Sequence, residues 1–393
     1  MTEKKFKILV LNLIICLIFI STFLFSQNNQ PKPVSEKEVA ERIQILNKQT
    51  PINLVYNSDV QAYIDVYTVK RREHLAKIIG LAEYYFPIFE EYLAKAGLPL
   101  ELKYLAIVES ALDANAKSTS GAMGLWQFMF NASRMFNLQI NSYVDERCDP
   151  IKSTEAATRY LKYLYDNFHN WDLALAAYNG GIATVNDAIV KSNGKRDFWE
   201  IKRFITSEMR GYVPAFIAVN YVMNYYETYG IEPIKLKIVY DDVESVELDK
   251  SVSFKQLENL LDISVEELRF LNPAYFMNFV PVLSNPVKIV IPKDKKSLYN
   301  EKLHSIKEEL GPATVALPAF GDTRGRVKIT HTVSKGEFFH KIAMDYGCRI
   351  EDIQKWNNLK KRDLMAGQKL LIWKRIDENP YFFICQEYNL FIS

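Results

Sequence analysis

Cysteine is scarce. The chain holds four, Cys16, Cys148, Cys348 and Cys385, and none falls in a Cys-x-x-Cys or Cys/His ligand spacing. That argues against a zinc centre, a thiol redox site and a disulfide framework. A basic excess is also lacking, since the formal charge is only +2 over 393 residues. Chains that bind nucleic acid carry a marked surplus of Lys and Arg, so no nucleic-acid partner is expected. Strand-forming runs are rare before residue 234. No pattern asks for a metal or a cofactor. What is present is a globular balance, 48% hydrophobic and 24% charged, in a chain long enough for two or three domains.

The N-terminus divides into a basic start (MTEKKFK), an apolar run (ILVLNLIICLIFISTFLF) and a polar stretch (SQNNQPKP). This is the layout of a secretory signal over residues 1–26, cleaved near Ser26. The apolar run is at the long end, so an uncleaved N-terminal membrane anchor is the second reading. Ile15 is bulky where a lipoprotein site at Cys16 needs a small residue. Residues 27–54, with Pro31 and Pro33, read as a linker leading into helix. From 55 to 235 apolar residues recur at helical spacing almost throughout, with Gly97 ending one long helix and Pro214 interrupting another. Beyond IKLKIVY, residues 240–293 and 329–374 resemble each other. Each reads as strand, helix, helix, strand, with an Asn-containing loop (LNPAY, WNNLK) before the last strand. Residues 294–328, rich in Gly and Pro toward their end, read as a linker, and 375–393 form a tail of unassigned role. The fold class expected is α+β and multidomain: a mainly α-helical domain followed by small βααβ modules.

Within the helical part, LPLELKYLAIVESAL carries one acid on its apolar face. On a helix turning about 100° per residue, Leu98, Leu102, Leu105, Ala106 and Leu112 lie within roughly 60° of Glu109, while Lys103 and Tyr104 point away. Burial and the C-terminal end of the helix dipole both make a carboxylate there costly. A Glu raised toward about 6 holds its proton near neutral pH and can deliver it to a leaving group. Two structural alternatives stand beside that reading: pairing with a buried Arg, or capping by a hydroxyl, for which Ser110 and Ser118 are candidates. Asp113 would share the face of Glu109 on a continuing helix, but is better placed to end it. The following STSGAMGLWQFM has Gly121 and Gly124 for tight turns, then Trp126 and Gln127, an apolar plane beside an amide, which suits a sugar ring unless Trp126 belongs to the core. Tyr178 and Asn179 close an Ala-rich helix before Gly180 and Gly181, and Tyr212 sits in RGYVPAF.

Together ESALDANAKSTSGAMGLWQFM, AYNGG and RGYVPAF resemble the successive motifs of the soluble-lytic-transglycosylase family, in particular its lytic murein transglycosylase D-like members. HTVSKGEFFHKIAMDYGCRIEDIQKWNNLKKRDLMAGQKLLI is similar to the peptidoglycan-binding LysM module, and the first repeat to a diverged LysM. The resemblance implies a lysozyme-like helical domain that cleaves the β-1,4 bond between N-acetylmuramic acid and N-acetylglucosamine. It implies Glu109 as the catalytic acid and Ser118, Gln127, Tyr178, Asn179 and Tyr212 as substrate-binding residues. Gly336, Glu337, Phe338, Trp356 and Asn357 become candidate glycan contacts of the second module. The chain departs from the family at Met209 (often Thr) and at Phe130 and Asn131 (often Pro or another turn residue). GEFF also replaces Gly-Asp-Thr-Leu, and the first repeat lacks the Gly-Asp.

The function expected is therefore an exported, cell-envelope peptidoglycan lytic transglycosylase. Its partners would be glycan strands, and the membrane only if the N-terminal segment stays uncleaved; a monomer is expected. A goose-type lysozyme-like hydrolase and a non-catalytic peptidoglycan-binding protein are the alternatives.

Overall fold

A computed structural model describes residues 34–282, 285–309, 319–360 and 363–375. The expected signal or anchor, with Cys16, and the C-terminal tail, with Cys385, lie outside the described residues. No helix among the described residues is long and apolar enough to cross a membrane. Cys148 and Cys348 are both free and buried.

The helical domain runs through α1 (Glu36–Asn47), α2 (Ser58–Asp65), α3 (Arg72–Lys95), α4 (Leu105–Ser110), α5 (Phe130–Met135), α6 (Pro150–Phe168), α7 (Trp171–Gly180), α8 (Ile182–Lys191), α9 (Phe198–Ile201) and α10 (Ser207–Tyr225). Two of these are apolar nearly all round and form its centre. Helix α7 buries Trp171 through Ala177, and α10 buries Tyr212 through Val222. Helices α2 and α4 pack against α10, α6 packs against α7 and α3, and all share one apolar cluster. Asp149 caps α6 by accepting from the Ile151 and Lys152 amides, each at 2.9 Å, and Pro150 takes the first position, where no amide hydrogen is needed. Asn170 caps α7 in the same way through Leu173.

Three expectations need correction here. Residues 36–54 are not a linker: Val39, Ile43, Ile52 and Leu54 sit in the main core. Pro214 does not interrupt α10, which continues through it. Proline removes one amide donor, but its φ suits a helix, and Val213, Phe216 and Ile217 bury the segment on both sides of the lost bond. Leu98–Leu112 is not one helix. A 3-10 turn over Leu100–Tyr104 precedes α4 and changes the phase, so Tyr104 is buried and accepts from Asn224 instead of facing solvent.

The first module pairs β1 (Val243–Leu248) with β4 (Val287–Pro292) and β2 (Val252–Ser253) with β3 (Phe279–Val280), all antiparallel, around α11 (Phe254–Leu261) and α12 (Val265–Leu271). A further helix, α13 (Lys296–Glu309), occupies part of the stretch expected as a linker, and its Tyr299 joins this module's core. The second module pairs β5 (Arg326–Thr332) with β6 (Lys369–Arg375) around α14 (Phe339–Asp345) and α15 (Ile350–Trp356). The βααβ order is the one expected.

The repeated Asn has a structural job in both modules. The Asn272 amide donates to Val290 O at 2.8 Å and accepts from Val290 N at 2.7 Å. Asn357 does the same with Leu371, at 2.7 Å in each direction. Each ties a helix end to the last strand by completing a backbone pair that the short sheet leaves open. Asn272 is buried, whereas Leu371 is 36% exposed. Asn272→Ala is therefore expected to cost the first module about 1–3 kcal/mol. Asn357→Ala should cost the second module clearly less, because water replaces the lost partner. Thermal unfolding of the two variants measures the difference; equal losses would contradict the account.

Candidate active site

Glu109 is the next-to-last residue of α4. The chain then turns away through two consecutive left-handed residues, Ala111 (φ 53°) and Leu112 (φ 64°), a conformation L-residues adopt at a cost. The buried Leu112 and Ala114 side chains hold that turn. As a result Asp113 leaves the face of Glu109 and accepts from the Asn115 amide at 2.8 Å in a local turn. The helix thus ends with a single acid on its face.

The Glu109 side chain is partly open to solvent, and its Oε1 accepts a hydrogen bond from the Tyr212 hydroxyl of α10. No Arg or Lys pairs with it among the described residues, which leaves the hydroxyl cap as the arrangement present. The donor is neither of the serines considered from sequence. Ser110 Oγ lies 2.9 Å from both Ala106 O and Leu125 O, and Ser118 Oγ accepts from Ala122 N at 2.9 Å. Burial raises the Glu109 pKa to about 7; the Tyr212 bond pulls it down, and the negative charge of Glu208 pushes it up. Tyr178 and Tyr212 are both pushed well above the usual phenol range, by burial first and by the nearby Glu109 charge second.

A cavity of about 30 Å³ beside Tyr212 is lined by Tyr63, Tyr67, Val108, Asn179, Glu208, Gly211 and Ala215. Asn179, the residue after Tyr178, faces it from the end of α7, where Gly181 (φ 82°) stops the helix. A larger hollow of about 420 Å³ lies along residues 69–77 and shares no residue with this site.

The loop after α4 is held by its own backbone and by three side chains. Gly124 has φ 81°, and a Cβ there would stand 1.9 Å from Arg147 O, so only glycine fits. Gln127 spends both amide hydrogens on the loop, donating to Ala116 O at 3.1 Å and Gly124 O at 2.9 Å. The Tyr178 hydroxyl donates to Trp126 O at 2.7 Å, and Ser110 reaches Leu125 O. Trp126 itself is fully buried against Phe89, with its indole nitrogen donating to Thr154. It is a core residue, and the sugar-stacking reading of that ring is corrected.

Two residues that sequence reasoning missed complete the loop. Arg147, 1% exposed, donates to Gly121 O at 2.9 Å and Phe128 O at 3.2 Å, and its guanidinium pairs with the buried Asp145 carboxylate. Burial alone would raise Asp145, but bonds from His340 and Arg147 more than offset it and hold the carboxyl below its usual value. The only sequence signal was a charge cluster, DERC, that reads equally well as a solvated loop.

In the second module, Gly336 (φ 82°) makes the turn before α14. Glu337 accepts from His331, Ser334 N and Lys341, so it shapes that turn. Phe338 packs on Phe130 of the helical domain at 4.6 Å between ring centroids. The Trp356 indole donates to Gly321 O at 3.0 Å, and Asn357 is bound to β6. Among the described residues no cluster of three or more His, Cys, Asp or Glu side chains could hold a metal ion.

Residues 86–202 match the transglycosylase SLT domain, 242–308 the LysM-like domain of the lytic transglycosylase MltD, and 331–373 the LysM domain. The chain thus carries a region that matches an SLT domain, followed by two that match LysM-type modules. It is 29% identical over 310 residues to membrane-bound lytic murein transglycosylase D of Escherichia coli (strain K12), covering 77% of this chain and 66% of that one. The chain thus spans just under two thirds of that relative. The soluble lytic murein transglycosylase of the same strain is 31% identical over 161 residues, 39% of this chain and 25% of its own length. A putative tributyltin chloride resistance protein from Alteromonas sp. (strain M-1) is 34% identical over 130 residues, covering 32% and 63%. The crystal structure of the 70-kDa soluble lytic transglycosylase Slt70 from Escherichia coli is 25% identical and covers 52% of this chain and 33% of that one, with a TM-score of 0.34.

The raised pKa of Glu109 makes the SLT domain's stability depend on pH. The carboxyl loses its proton near 4.5 when unfolded and near 7 when folded, so the folded state binds the proton better in between. Stability falls as pH rises through that window. Glu109→Gln keeps an acceptor for Tyr212 and removes this cost. It should raise the melting temperature at pH 8, by the equivalent of roughly 3 kcal/mol at most, and leave it unchanged at pH 4. Equal shifts at both pH values in calorimetry would contradict the assignment.

Proposed function

We propose that the protein is an exported peptidoglycan lytic transglycosylase. It cleaves the β-1,4 bond between N-acetylmuramic acid and N-acetylglucosamine without consuming water and leaves 1,6-anhydro-muramic ends. The observation that carries this reading is a single acid, Glu109, ending a buried helix with its pKa raised to about 7 and a tyrosine hydroxyl on its carboxylate. The SLT and LysM matches support peptidoglycan as the substrate.

One carboxyl serves twice. Protonated Glu109 gives its proton to the glycosidic oxygen as the bond breaks through an oxocarbenium-like state. The carboxylate that remains is stabilised by the Tyr212 hydroxyl. It then takes the proton of the C6 hydroxyl of the same muramic acid, whose oxygen attacks C1. An internal nucleophile already in place needs no second carboxylate to activate water. Glu208 lies at the rim and is exposed; its charge helps keep the proton on Glu109. Tyr178 and Asn179 at the end of α7, with Gln127 and Ser118 in the loop, are proposed to line the glycan groove. The N-terminal apolar segment would direct export to the cell envelope, with membrane attachment only where it is retained. A hydrolase reading places water where the C6 hydroxyl attacks, and the products separate the two.

Mass spectrometry of digested peptidoglycan should find anhydro-ended products. Reducing ends in their place would overturn the reading. Glu109→Gln should lower turnover by about 10²–10⁴-fold or more while glycan binding persists. Activity should decline as the pH rises past about 7, where Glu109 arrives without its proton.

A further inference from the structure

The second LysM-type module does not hang free of the SLT domain. His340, on α14, is 4% exposed and places Nε2 at 3.0 Å from Oδ2 of Asp145, which is 0% exposed. An ionised carboxylate only accepts, so His340 donates. The same carboxylate takes Arg147 Nε at 2.9 Å, and Arg147 in turn holds the carbonyls of Gly121 and Phe128. Those two carbonyls bracket the stretch that carries Gln127, and the loop is tied to the end of α4 through Ser110 and Leu125. Three contacts surround this buried chain. Phe338 packs on Phe130, Lys117 pairs with Asp345, and Ser142 donates to Glu351 at 2.6 Å. Two positions that depart from the family pattern, Phe130 and Phe338, are thus each other's partners. The first module joins the same node, since Asp145 N donates to Ala274 O at 2.9 Å.

We propose that the second LysM-type module is a built-in part of the catalytic centre: His340, acting through Asp145 and Arg147, holds loop 117–128 in the register that cleavage requires. His340 and Asp145 are then positioning residues, and the module does more than tether the enzyme to the wall. The physical reason is the burial of Asp145. A carboxylate removed from water needs every donor it can find, and losing one re-aims the guanidinium that clamps the loop. The module's seating and the loop's conformation therefore stabilise each other. The effect on turnover rests on the transglycosylase reading; the effect on the loop does not.

The test uses the full chain and two variants, His340→Ala and His340→Gln, the latter because its amide nitrogen can stand where the ring Nε2 stands. Turnover is measured on short soluble glycan strands, for which wall tethering is irrelevant, together with hydrogen exchange of amides 117–128. His340→Ala should lower kcat about tenfold with little change in KM, and speed exchange in 117–128 but not in α6 or α7. His340→Gln should restore most of both. Wild-type kcat and unaltered exchange in His340→Ala would overturn the proposal and leave the module a tether. Faster exchange throughout the SLT domain, unrelieved by His340→Gln, would overturn it too, as general unfolding. Exchange is read without activity, so a chain that makes no anhydro product sinks the proposed reaction and leaves the loop result to decide positioning.

Discussion

A carboxyl that must meet its substrate still protonated constrains everything packed around it. In the proposed role, Glu109 needs enough burial to keep its proton near pH 7 and enough opening to give it away. The fold meets both demands by ending a helix at the acid. Helix α4 stops one residue later, and two left-handed residues swing the chain aside, leaving Glu109 partly open to solvent. The core supplies the restraint. Helices α7 and α10, buried almost all round, meet at this point and bring Tyr178 and Tyr212. Tyr212 works against burial, stabilising the carboxylate that forms when the proton leaves. Burial is the larger effect, so the pKa stays raised, at about 7.

The loop beyond the acid depends on a second buried charge. Asp145 and Arg147 are almost wholly withdrawn from water, a costly arrangement unless every donor and acceptor is met. It is met by spending the guanidinium on two loop carbonyls and the carboxylate on His340. Gly124 is the geometric counterpart, allowing the loop to pass against the Arg147 carbonyl where no other residue fits. The loop, the charged pair and the module are consequently one hydrogen-bonded unit and not three separately folded parts.

Much of this was legible in the sequence because it followed from periodicity and turn chemistry. The helical domain, the βααβ modules and the burial tendency of Glu109 each rest on spacings that local geometry fixes. Tyr104 was misplaced because a 3-10 turn resets the angular phase, and a single 100° step cannot detect that. Trp126 offered the same residue type to a core and to a sugar, and only packing against Phe89 decides between them. Asp145, Arg147 and His340 were invisible for a different reason. A buried ion pair and a surface charge cluster have the same local sequence, and their burial depends on a module nearly two hundred residues away. The Asn of each module looked like a loop residue or a ligand contact, because a side-chain bond to a distant strand leaves no periodic trace.

The most direct test is to titrate Glu109 itself. In the full chain labelled with 13C at the glutamate carboxyls, Glu109→Gln identifies its resonance by removing it. The midpoint expected for that resonance is near pH 7. A midpoint near the ordinary 4.5 would mean that the acid arrives ionised. A proton-delivering role for Glu109 at neutral pH would then be contradicted.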